Sequence, residues 1–342
     1  MEPGLDRYSR QVALRRIGVA GQRRLLASRV AIVGCGATGT VLARYLTGAG
    51  VGRLRLIDRD CVELNNLQRQ LLFDQGDARR GLPKAVAARA KLARVNSEVK
   101  LEAFVRDLEP GNCSALLGGS DLVLDGTDNL ETRFLINDWA VREGIPWIYC
   151  GVLATFGHTM AVVPGKTACL RCYLPQSPAA GELPGCETEG VIGPVAAITA
   201  GLAAAAALRL LVEGTSSSGG ALVMVDAWNG STEQIRVERR PDCEVCGRRH
   251  FAYLEEGAGS RAAALCGRHA VQVSASDGAQ TPPFEELAGR LCGQGDVTFN
   301  RYVLRFRVEG FEIELFRDAR AIVKGTSDPA TARSLYARYI GI

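Results

Sequence analysis

Residues 28–58 read SRVAIVGCGATGTVLARYLTGAGVGRLRLID, and this stretch decides the fold class. The apolar run at 30–33 predicts a buried strand, the glycine-rich GCGATG predicts a tight turn, and apolar residues at helical spacing then predict a helix. A second apolar run, at 54–57, ends in Asp58. Strand, glycine turn, helix and acid-ended strand form the βαβ signature of a nucleotide-binding sheet.

The three glycines of this turn have separate physical roles. Gly34 permits the tight turn, Gly36 lets the backbone approach a phosphate, and Gly39 lets the helix pack closely on the strand. The helix N-terminus then offers free N–H groups and a positive dipole end to an anion. Asp58 stands where a carboxylate can accept hydrogen bonds from ribose hydroxyls. An adenine nucleotide is predicted, with NAD and ATP both open and a merely structural turn as the plain alternative.

Composition sets the broad class. The chain has 342 residues, which suggests two domains, and 47% apolar with 23% charged residues is typical of a soluble globular protein. The net charge of +4 is too small to indicate a nucleic-acid partner. The first residues, MEPGLDRYSRQ, contain no signal-peptide core, and 11 scattered cysteines then favour reduced thiols or a metal site. We therefore expect a cytoplasmic protein.

Residues 195–212 imitate a membrane span in length and hydropathy. The segment is alanine-rich, carries Arg209 and follows Pro194, which suits the first position of a helix. We expect a helix buried in the protein or packed on a partner, and no membrane association.

Strands and helices alternate over the first 250 residues. The predicted strands are residues 30–33, 54–58, 99–104, 121–124, 147–151 and 160–163, followed by a pair at 221–226 and 233–238, and predicted helices include 85–95 and 130–143. This alternation predicts an α/β fold with a Rossmann-like doubly wound sheet.

The predicted domain plan has four parts. Residues 1–28 form a helical arm with breaks at Gly18 and Gly21, 29–250 the nucleotide-binding domain, 251–264 a linker, and 265–342 a small α+β domain. In the last part we expect strands at 271–273, 302–309 and 311–316, a hairpin turn at Glu309-Gly310, and helices at 282–292 and 330–340. The basic arm, with Arg7 and Arg10, is either a solvated face or reaches a neighbouring site.

Three charged residues follow predicted strands or begin a helix. Arg69 lies in the polar loop after Asp58, where an open α/β sheet binds its ligands, and its planar fork suits phosphate. Lys84 opens a helix, where a cation is unfavourable, so a phosphate partner is plausible. Asp128 follows another strand and is either a helix cap or a magnesium ligand beside a triphosphate.

Two CxxC pairs, Cys169/Cys172 and Cys243/Cys246, predict a tetrahedral thiolate site for zinc. Four thiolates leave no open position, so the zinc is expected to be structural, clamping two distant parts of one domain. Four unrelated cysteines are the alternative.

Cys186 stands alone in a Pro/Gly/Ala-rich segment, residues 175–190, with acidic neighbours. Those acids would raise the pKa of a thiol, so Cys186 needs a partner to become a nucleophile.

Motifs spread over residues 5 to 250 resemble the ThiF/MoeB/HesA family, the bacterial relatives of ubiquitin-activating enzymes. They occur in order as Arg7-Tyr8-Ser9-Arg10-Gln11, GCGATG, Asp58 to Asp60, Asn66-Leu67-Gln68-Arg69-Gln70, Pro83-Lys84, Asp125-Gly126-Thr127-Asp128-Asn129 and the two CxxC pairs.

The resemblance implies an adenylyltransferase that uses ATP and Mg²⁺ on the C-terminal glycine of a ubiquitin-like β-grasp sulfur carrier of the ThiS/MoaD type. It implies a homodimer in which Arg10 enters the partner's site, and a cysteine desulfurase or rhodanese as sulfur donor. The residues implied to act are Arg10, Arg69, Lys84 and Asp128, with Cys186 as a thiol that only some relatives use, and those implied to bind nucleotide are Gly34, Gly36, Gly39, Asp58, Asp60, Asn66, Gln70 and Asn129.

Two other functions remain as alternatives. An NAD-dependent oxidoreductase would explain GCGATG and Asp58 but leaves Arg69, Lys84 and Asp128 without a role. A non-catalytic scaffold would not need that charged set. The pathway (thiamin thiazole, molybdopterin, tRNA thiolation, cysteine or siderophore) stays open, and the C-terminal domain is hypothesised to dock the carrier or a sulfur-transfer partner.

Overall fold

The computed structural model describes residues 4–175, 189–217, 220–255, 262–264, 269–273 and 281–341. The chain divides into two compact units: Met1–Gln75 with Lys84–Gly257, and Gly76–Pro83 with Ala258–Ile342.

The first unit is built on an eight-stranded sheet. Its strands are β1 (Arg29–Val33), β2 (Arg53–Ile57), β3 (Lys100–Phe104), β4 (Leu122–Asp125), β5 (Trp147–Leu153), β6 (Phe156–Val162), β7 (Ala221–Asp226) and β8 (Ser231–Arg236). The order is β3-β2-β1-β4-β5-β6-β7-β8, parallel from β3 to β5 and antiparallel from β5 to β8. The predicted α/β fold class with a doubly wound, parallel-rich sheet is confirmed.

Helices cover the sheet and leave loops at its carboxyl edge. In chain order the helices are α1 (Ser9–Val12), α2 (Gly18–Ala27), α3 (Ala37–Ala49), α4 (Gln75–Arg79), α5 (Lys84–Val95), α6 (Cys113–Leu117), α7 (Leu130–Glu143), α8 (Leu170–Tyr173), α9 (Gly193–Glu213) and α10 (Ala252–Glu255). All belong to this unit except α4, which after Gln75 belongs to the second. Turn residues set their ends: Asn129 caps α7 by accepting the Thr132 N–H at 2.8 Å, and Gly50 and Gly144 end α3 and α7 in the left-handed region.

Helix α9 is the apolar segment of residues 195–212. By length and composition alone it could cross a membrane, but half of its most apolar window is buried against α3, β5 and β6. At Gly157 of β6 an added Cβ would lie 1.8 Å from Thr199 Oγ1, so only glycine allows this close approach of helix to sheet. The expectation of a packed helix agrees with this burial.

Three local predictions were wrong. Gly21 does not break the arm, because α2 runs through it, and its missing side chain makes room for Val212 of α9. Residues 252–255 form α10, whose Leu254 is buried, instead of a linker. Strand β8 begins at Ser231 and ends at Arg236, two residues earlier than predicted.

In its described residues the second unit contains a six-stranded antiparallel sheet and, besides most of α4, two further helices. The strands are β9 (Ala262–Ala264), β10 (Ala270–Val273), β11 (Asp296–Phe299), β12 (Val303–Val308), β13 (Phe311–Phe316) and β14 (Ala321–Lys324), and the helices are α11 (Phe284–Leu291) and α12 (Pro329–Tyr339). The order is β11-β12-β13-β14-β10-β9. The Glu309-Gly310 hairpin has positive φ at both residues, which matches the twist of the strands. The sequence missed β9, β11 and β14.

Candidate functional site

The glycine turn lies where β1 and β4, neighbours in the sheet, both end. This is the point at which the strand order reverses, and open α/β sheets bind ligands there. Gly34 has φ +89°, and a Cβ on it would lie 2.4 Å from the carbonyl oxygen of Gly126, after β4. A Cβ on Gly39 would lie 1.9 Å from the Gly34 carbonyl oxygen. Both glycines are therefore required by close backbone packing.

Gly36 differs, because the space beside it is open. An added Cβ would come no closer than 3.7 Å to the Gly126 oxygen and 3.9 Å to Gln70 Nε2. Gln70 is 3% exposed, and its Oε1 has no hydrogen-bond partner among the described residues. The Gln70 amide therefore lies beside the glycine turn with its Nε2 towards Gly36, and its buried oxygen is left to accept from a polar ligand such as a nucleotide.

Asp58, after β2, is buried and holds the local backbone. Its carboxylate accepts the Cys35 N–H at 2.6 Å and the Asp60 N–H at 2.7 Å. Burial raises its pKa, and the Lys84 ammonium partly opposes that shift. A carboxylate has about four acceptor positions, so capacity for ribose hydroxyls remains.

Lys84 and Asp60 form a buried ion pair. Lys84 Nζ lies 3.1 Å from Asp60 Oδ2, and the Lys84 backbone N–H donates to the Asp60 carbonyl oxygen at 2.8 Å. These contacts join the first turn of α5 to the loop after β2. They place an ammonium group near Asp58, since that charge acts on the pKa of Asp58.

Arg59 lies in the same loop, within electrostatic range of Asp128. Burial lowers the pKa of Arg59, but the carboxylates of Asp107, Asp60 and Asp128 outweigh it, so the pKa is raised overall. Arg59 Nη1 lies 2.6 Å from Asp107 Oδ2. Asp128 is exposed, at the end of β4, on the same carboxyl edge as the glycine turn. The sequence motifs predicted no role for Arg59.

Asn66 ends a short helical turn after β2, Leu64–Asn66, and Arg69 lies in the turn that follows it. Asn66 is buried and closes a capping box with Glu63, while Arg69 Nη1 donates to the Asn65 carbonyl oxygen at 3.0 Å. These contacts give the loop a defined shape and leave the Arg69 side chain partly exposed.

Asp125 and Arg133 form a buried ion pair that the sequence reasoning missed. Arg133 Nε donates to Asp125 Oδ2 at 2.9 Å, and Asp125 Oδ1 accepts from the N–H and hydroxyl of Thr127 at 2.8 and 2.7 Å. Arg133 Nη2 also donates to the Thr127 carbonyl oxygen at 2.6 Å. The pair fixes the turn that carries Asp128. An acid at the buried end of an apolar strand requires a cation, and that was the available signal.

The arm is anchored by its tyrosine. Tyr8 is buried and accepts a hydrogen bond from Asn96 Nδ2 at 2.8 Å, and Arg7 Nη1 donates to the Val95 carbonyl oxygen at 3.0 Å. Arg10 lies on α1 and is exposed. Among the described residues, Arg10 forms no hydrogen bond or ion pair with the glycine turn.

The four cysteines of the CxxC pairs converge. Their sulfurs lie within 4.8 Å of one another, with Cys169–Cys243 at 3.6 Å and Cys172–Cys246 at 3.5 Å. Tetrahedral Zn–S bonds of about 2.3 Å imply S–S distances of about 3.8 Å, so the cluster could hold zinc. Hydrogen bonds among the four sulfurs lower the pKa of Cys172 and of Cys243, whereas the pKa values of Cys169 and Cys246 are raised, so the four thiols titrate as one set.

Both CxxC turns are also joined outside the sulfurs. Arg171 and Glu244, one from each turn, form an ion pair at 2.9 Å, and the Leu170 N–H donates to Asn137 Oδ1 of α7 at 2.9 Å. The clamp therefore ties α8, α7 and the end of the domain together. Cys186 lies outside the described residues.

A glycine turn at the switch point of an open sheet, with charged residues on the same edge, is typical of a nucleotide-binding α/β protein. The ThiF family model matches residues 8–245, more than half of the chain, and the chain belongs to that family. The relatives identify the class of enzyme as adenylyltransferase.

Three relatives show how far the similarity extends. The chain is 38% identical over 338 residues to the sulfur carrier protein ThiS adenylyltransferase of Bacillus subtilis, covering 98% of this chain and 99% of the relative. It is 39% identical to the sulfur carrier protein adenylyltransferase of Thermus thermophilus (71% and 91%) and 37% identical to the SAMP-activating enzyme E1 of Haloferax volcanii (71% and 89%).

Solved structures agree on the fold. The crystal structure of E. coli MccB with ATP has a TM-score of 0.62 and 25% identity, covering 71% of this chain and 74% of that one. Over most of its length the chain therefore shares the fold of MccB, a protein crystallised with ATP.

Proposed function

We propose that this enzyme adenylates the C-terminal glycine of a ubiquitin-like sulfur carrier of the ThiS type. The observation that carries this proposal is the similarity to the Bacillus subtilis ThiS adenylyltransferase, which extends over 98% of this chain and therefore includes the C-terminal region. The Thermus and Haloferax relatives match only 71% of the chain. Among the possible carriers we therefore place ThiS first, and with it the thiamin pathway.

The chemistry needs alignment and charge neutralisation more than a base. The C-terminal carboxylate of the carrier is already ionised, and one of its oxygens forms a bond to the α-phosphorus of ATP. The bond from that phosphorus to the bridging oxygen breaks, and pyrophosphate leaves with the electron pair. Nucleophile and triphosphate are both anionic, so cations near the reacting atoms lower the barrier.

The charged residues suit these tasks. Asp58 would hold the ribose, and Lys84 and Arg69 would neutralise phosphate oxygens. Asp128 would hold Mg²⁺, which adds positive charge next to the phosphates. Lys84 is paired with Asp60 in this structure. When a triphosphate binds, the ammonium group would donate one N–H to Asp60 and another to a phosphate oxygen.

The remaining nucleotide contacts come from the loops. Gln70, whose amide lies beside Gly36, would accept a hydrogen bond from the nucleotide through its unsatisfied oxygen, and Asn66 shapes the loop that carries Arg69. Asn129 contributes as the cap that starts α7 directly after Asp128.

A homodimer with Arg10 acting in the partner's site is part of the proposal. Large apolar side chains are exposed between α1 and α2 and on α2, α3 and α9, all in the first unit. They are Leu14, Val19, Tyr45, Ile198 and Leu202. Apolar surface of this kind is typical of a protein–protein interface. Mixing an Arg10→Ala with an Asp128→Ala variant should restore part of the activity, and mixtures as inactive as the separate variants would exclude action in trans.

Sulfur transfer would follow adenylation. A cysteine desulfurase or rhodanese would supply the sulfur, and Cys186 remains a hypothesis for a transient thiol. A Cys186→Ala variant that adenylates the carrier but fails to support the thiocarboxylate would establish its role, whereas full activity in both steps would remove it.

ATP–pyrophosphate exchange with magnesium tests the proposal against a panel of Gly-Gly-ended β-grasp carriers. We expect exchange that depends on the ThiS-type carrier and falls at least 100-fold in Asp128→Ala, as is usual when a charge at a reacting phosphate is lost. Exchange with a different carrier would change the pathway. Tight ATP binding without exchange on any carrier would favour the scaffold alternative.

A further inference from the structure

A short segment just before Lys84 belongs to the other structural unit. Gly76–Pro83, here called the strap, clusters with the unit formed from Ala258 onward, whereas the residues on both sides of it belong to the first unit. The next residue along the chain after the strap is Lys84. Whatever holds the strap therefore also holds the chain that enters the first turn of α5.

The strap has one defined backbone shape. Helix α4 ends at Arg79; Gly81, two residues later, has φ +57°, and its N–H donates to the Ala78 carbonyl oxygen at 3.0 Å. The Leu82 N–H donates to the Asp77 carbonyl oxygen at 3.1 Å. These two bonds form a Schellman cap, and Pro83 then stops the helix. The strap is a fixed corner and not a loose loop.

The C-terminal sheet holds this corner through Asn300, in the turn between β11 and β12. Asn300 Nδ2 donates to the carbonyl oxygens of Arg80 at 2.8 Å and Gly81 at 3.4 Å. Its Oδ1 accepts the N–H groups of Tyr302 and Val303 at 2.8 and 3.0 Å, which sets the direction of the amide. One side chain thus joins the β11–β12 turn to the two carbonyls at the end of the strap.

Arg305 of β12 packs against the same corner. A Cβ on Gly81 would lie 2.3 Å from Arg305 Nη1, so the guanidinium packs directly against the glycine. Arg305 Nε donates to Glu314 Oε1 at 2.8 Å, and the Glu314 side chain is buried. The guanidinium is therefore held in place by a buried partner on the neighbouring strand.

We propose that Asn300 and Arg305 are positioning residues for Lys84, acting through the strap. On its other side Lys84 is held by Asp60, through its N–H and its ammonium group. The lysine thus follows directly from a corner fixed by the C-terminal unit. This inference rests on the proposed function of Lys84 as a phosphate-binding residue, and it gives the C-terminal unit a task in nucleotide binding.

The sharpest variant is Asn300→Asp. It keeps the oxygen that accepts from Tyr302 and Val303 but replaces the amide that donates to the strap. We expect the Kd for ATP, with magnesium, to rise at least fivefold, and amide hydrogen exchange of residues 76–83 to become at least threefold faster. In the ATP–pyrophosphate exchange assay, the KM for ATP should rise while the KM for the carrier stays within twofold.

Asp328→Ala is the matched control. Asp328 caps α12 of the same unit through the N–H groups of Ala330 and Thr331, so its loss loosens that unit without touching the strap. In this variant the ATP affinity and the amide hydrogen exchange of the strap should match those of the unaltered protein. Equal effects in both variants, or unchanged ATP affinity in Asn300→Asp, would overturn the inference. Absence of carrier-dependent activity in the unaltered protein would count against the proposed function instead, because ATP affinity and hydrogen exchange are read without a carrier.

Discussion

At the scale of single residues, the Asp125–Arg133 pair decides where the turn after β4 points. Asp125 is fully buried, and its two oxygens are shared among Thr127, Arg133 and the Cys150 N–H. Arg133 also lies 5.3 Å from the ring centre of Tyr149. Removing one member of such a pair leaves an uncompensated buried charge. Asp128 follows Thr127 directly, so its position depends on this turn.

Arg133→Met is expected to lower the free energy of unfolding by about 3 kcal/mol, because the Asp125 carboxylate loses its cation. Chemical denaturation checks the value. The double variant Asp125→Asn/Arg133→Met should recover at least half of that loss, since no unpaired charge remains, while carrier-dependent exchange stays low. Full activity in the stable double variant would show that the pair does not position Asp128.

The residues of the site were predictable to different degrees. The glycines, Asp58 and the cysteines follow from fixed spacing, because close backbone packing and thiolate geometry allow few other residues. Arg133 carried no such pattern, since its partner is eight positions away across a turn. The pairing of Lys84 with Asp60 was equally hidden: the sequence predicted a partner for a cation at a helix N-terminus but not which one.

At the scale of elements, α7 connects two parts of the first unit, the turn after β4 and the cysteine clamp. Its side chains contact the Asp125 turn at one end and the cysteine clamp at the other, where Asn137 binds Leu170 and Asp138 Oδ2 accepts the Tyr253 N–H at 3.0 Å. Burial raises the pKa of Asp138 to about 7, against the hydrogen bond from Tyr253 and the charge of Arg171. The carboxyl group is therefore largely neutral below that pH.

A raised pKa makes stability depend on pH in a definite direction. An unfolded aspartate ionises near pH 4, so the folded state binds more protons between about pH 4 and 7, and stability falls as the pH rises through that range. Asp138→Asn keeps an acceptor for Tyr253 and should remove this loss. We expect it to gain about 1–3 kcal/mol over the unaltered protein at pH 8 and almost nothing at pH 4, by denaturation at both values. A gain of equal size at both pH values would contradict this account.

Most elements were predictable because periodicity and caps agree with the packing. Asn129 and Gly144 bound α7 at the predicted residues, and Pro194 lies within the first two positions of α9. The failures share a cause: at Gly21 and at 252–255, tertiary packing overrode the local preference of glycine and of a polar stretch. Strands β11 and β14 are short, and no sequence period distinguished them.

At the scale of the whole molecule, the cysteine clamp should contribute to folding. The four cysteines belong to the same buried cluster as Trp139 and Trp147, so loss of a metal there would loosen the core that supports α7. A structural zinc site commonly supplies much of the stability of a domain.

We expect one zinc per chain by elemental analysis of the purified protein. Removal by a chelator, or a Cys246→Ser change, should lower the Tm by at least 10 °C and change tryptophan fluorescence. Re-addition of zinc should reverse the effect of the chelator. A zinc-free protein with an unchanged Tm would show that the four thiols are held together by packing alone.

The strap changes how the C-terminal unit should be studied. Deleting residues from about 262 onward removes both Asn300 and Arg305, so it would alter the segment before Lys84 as well as any surface for the carrier. Loss of ATP affinity in such a truncation would therefore not exclude carrier docking by this unit. Point variants on faces away from the strap separate the two roles.

The central claim is that this enzyme forms an acyl adenylate on a carrier protein, and intact mass spectrometry of the carrier tests it most directly. A ThiS-type carrier incubated with the enzyme, ATP and magnesium, with pyrophosphatase present, should gain the mass of one AMP group at its C-terminal glycine. A carrier lacking that glycine should gain none, nor should the full carrier with Asp128→Ala. A carrier that stays unmodified although the enzyme is folded and binds ATP would contradict the account.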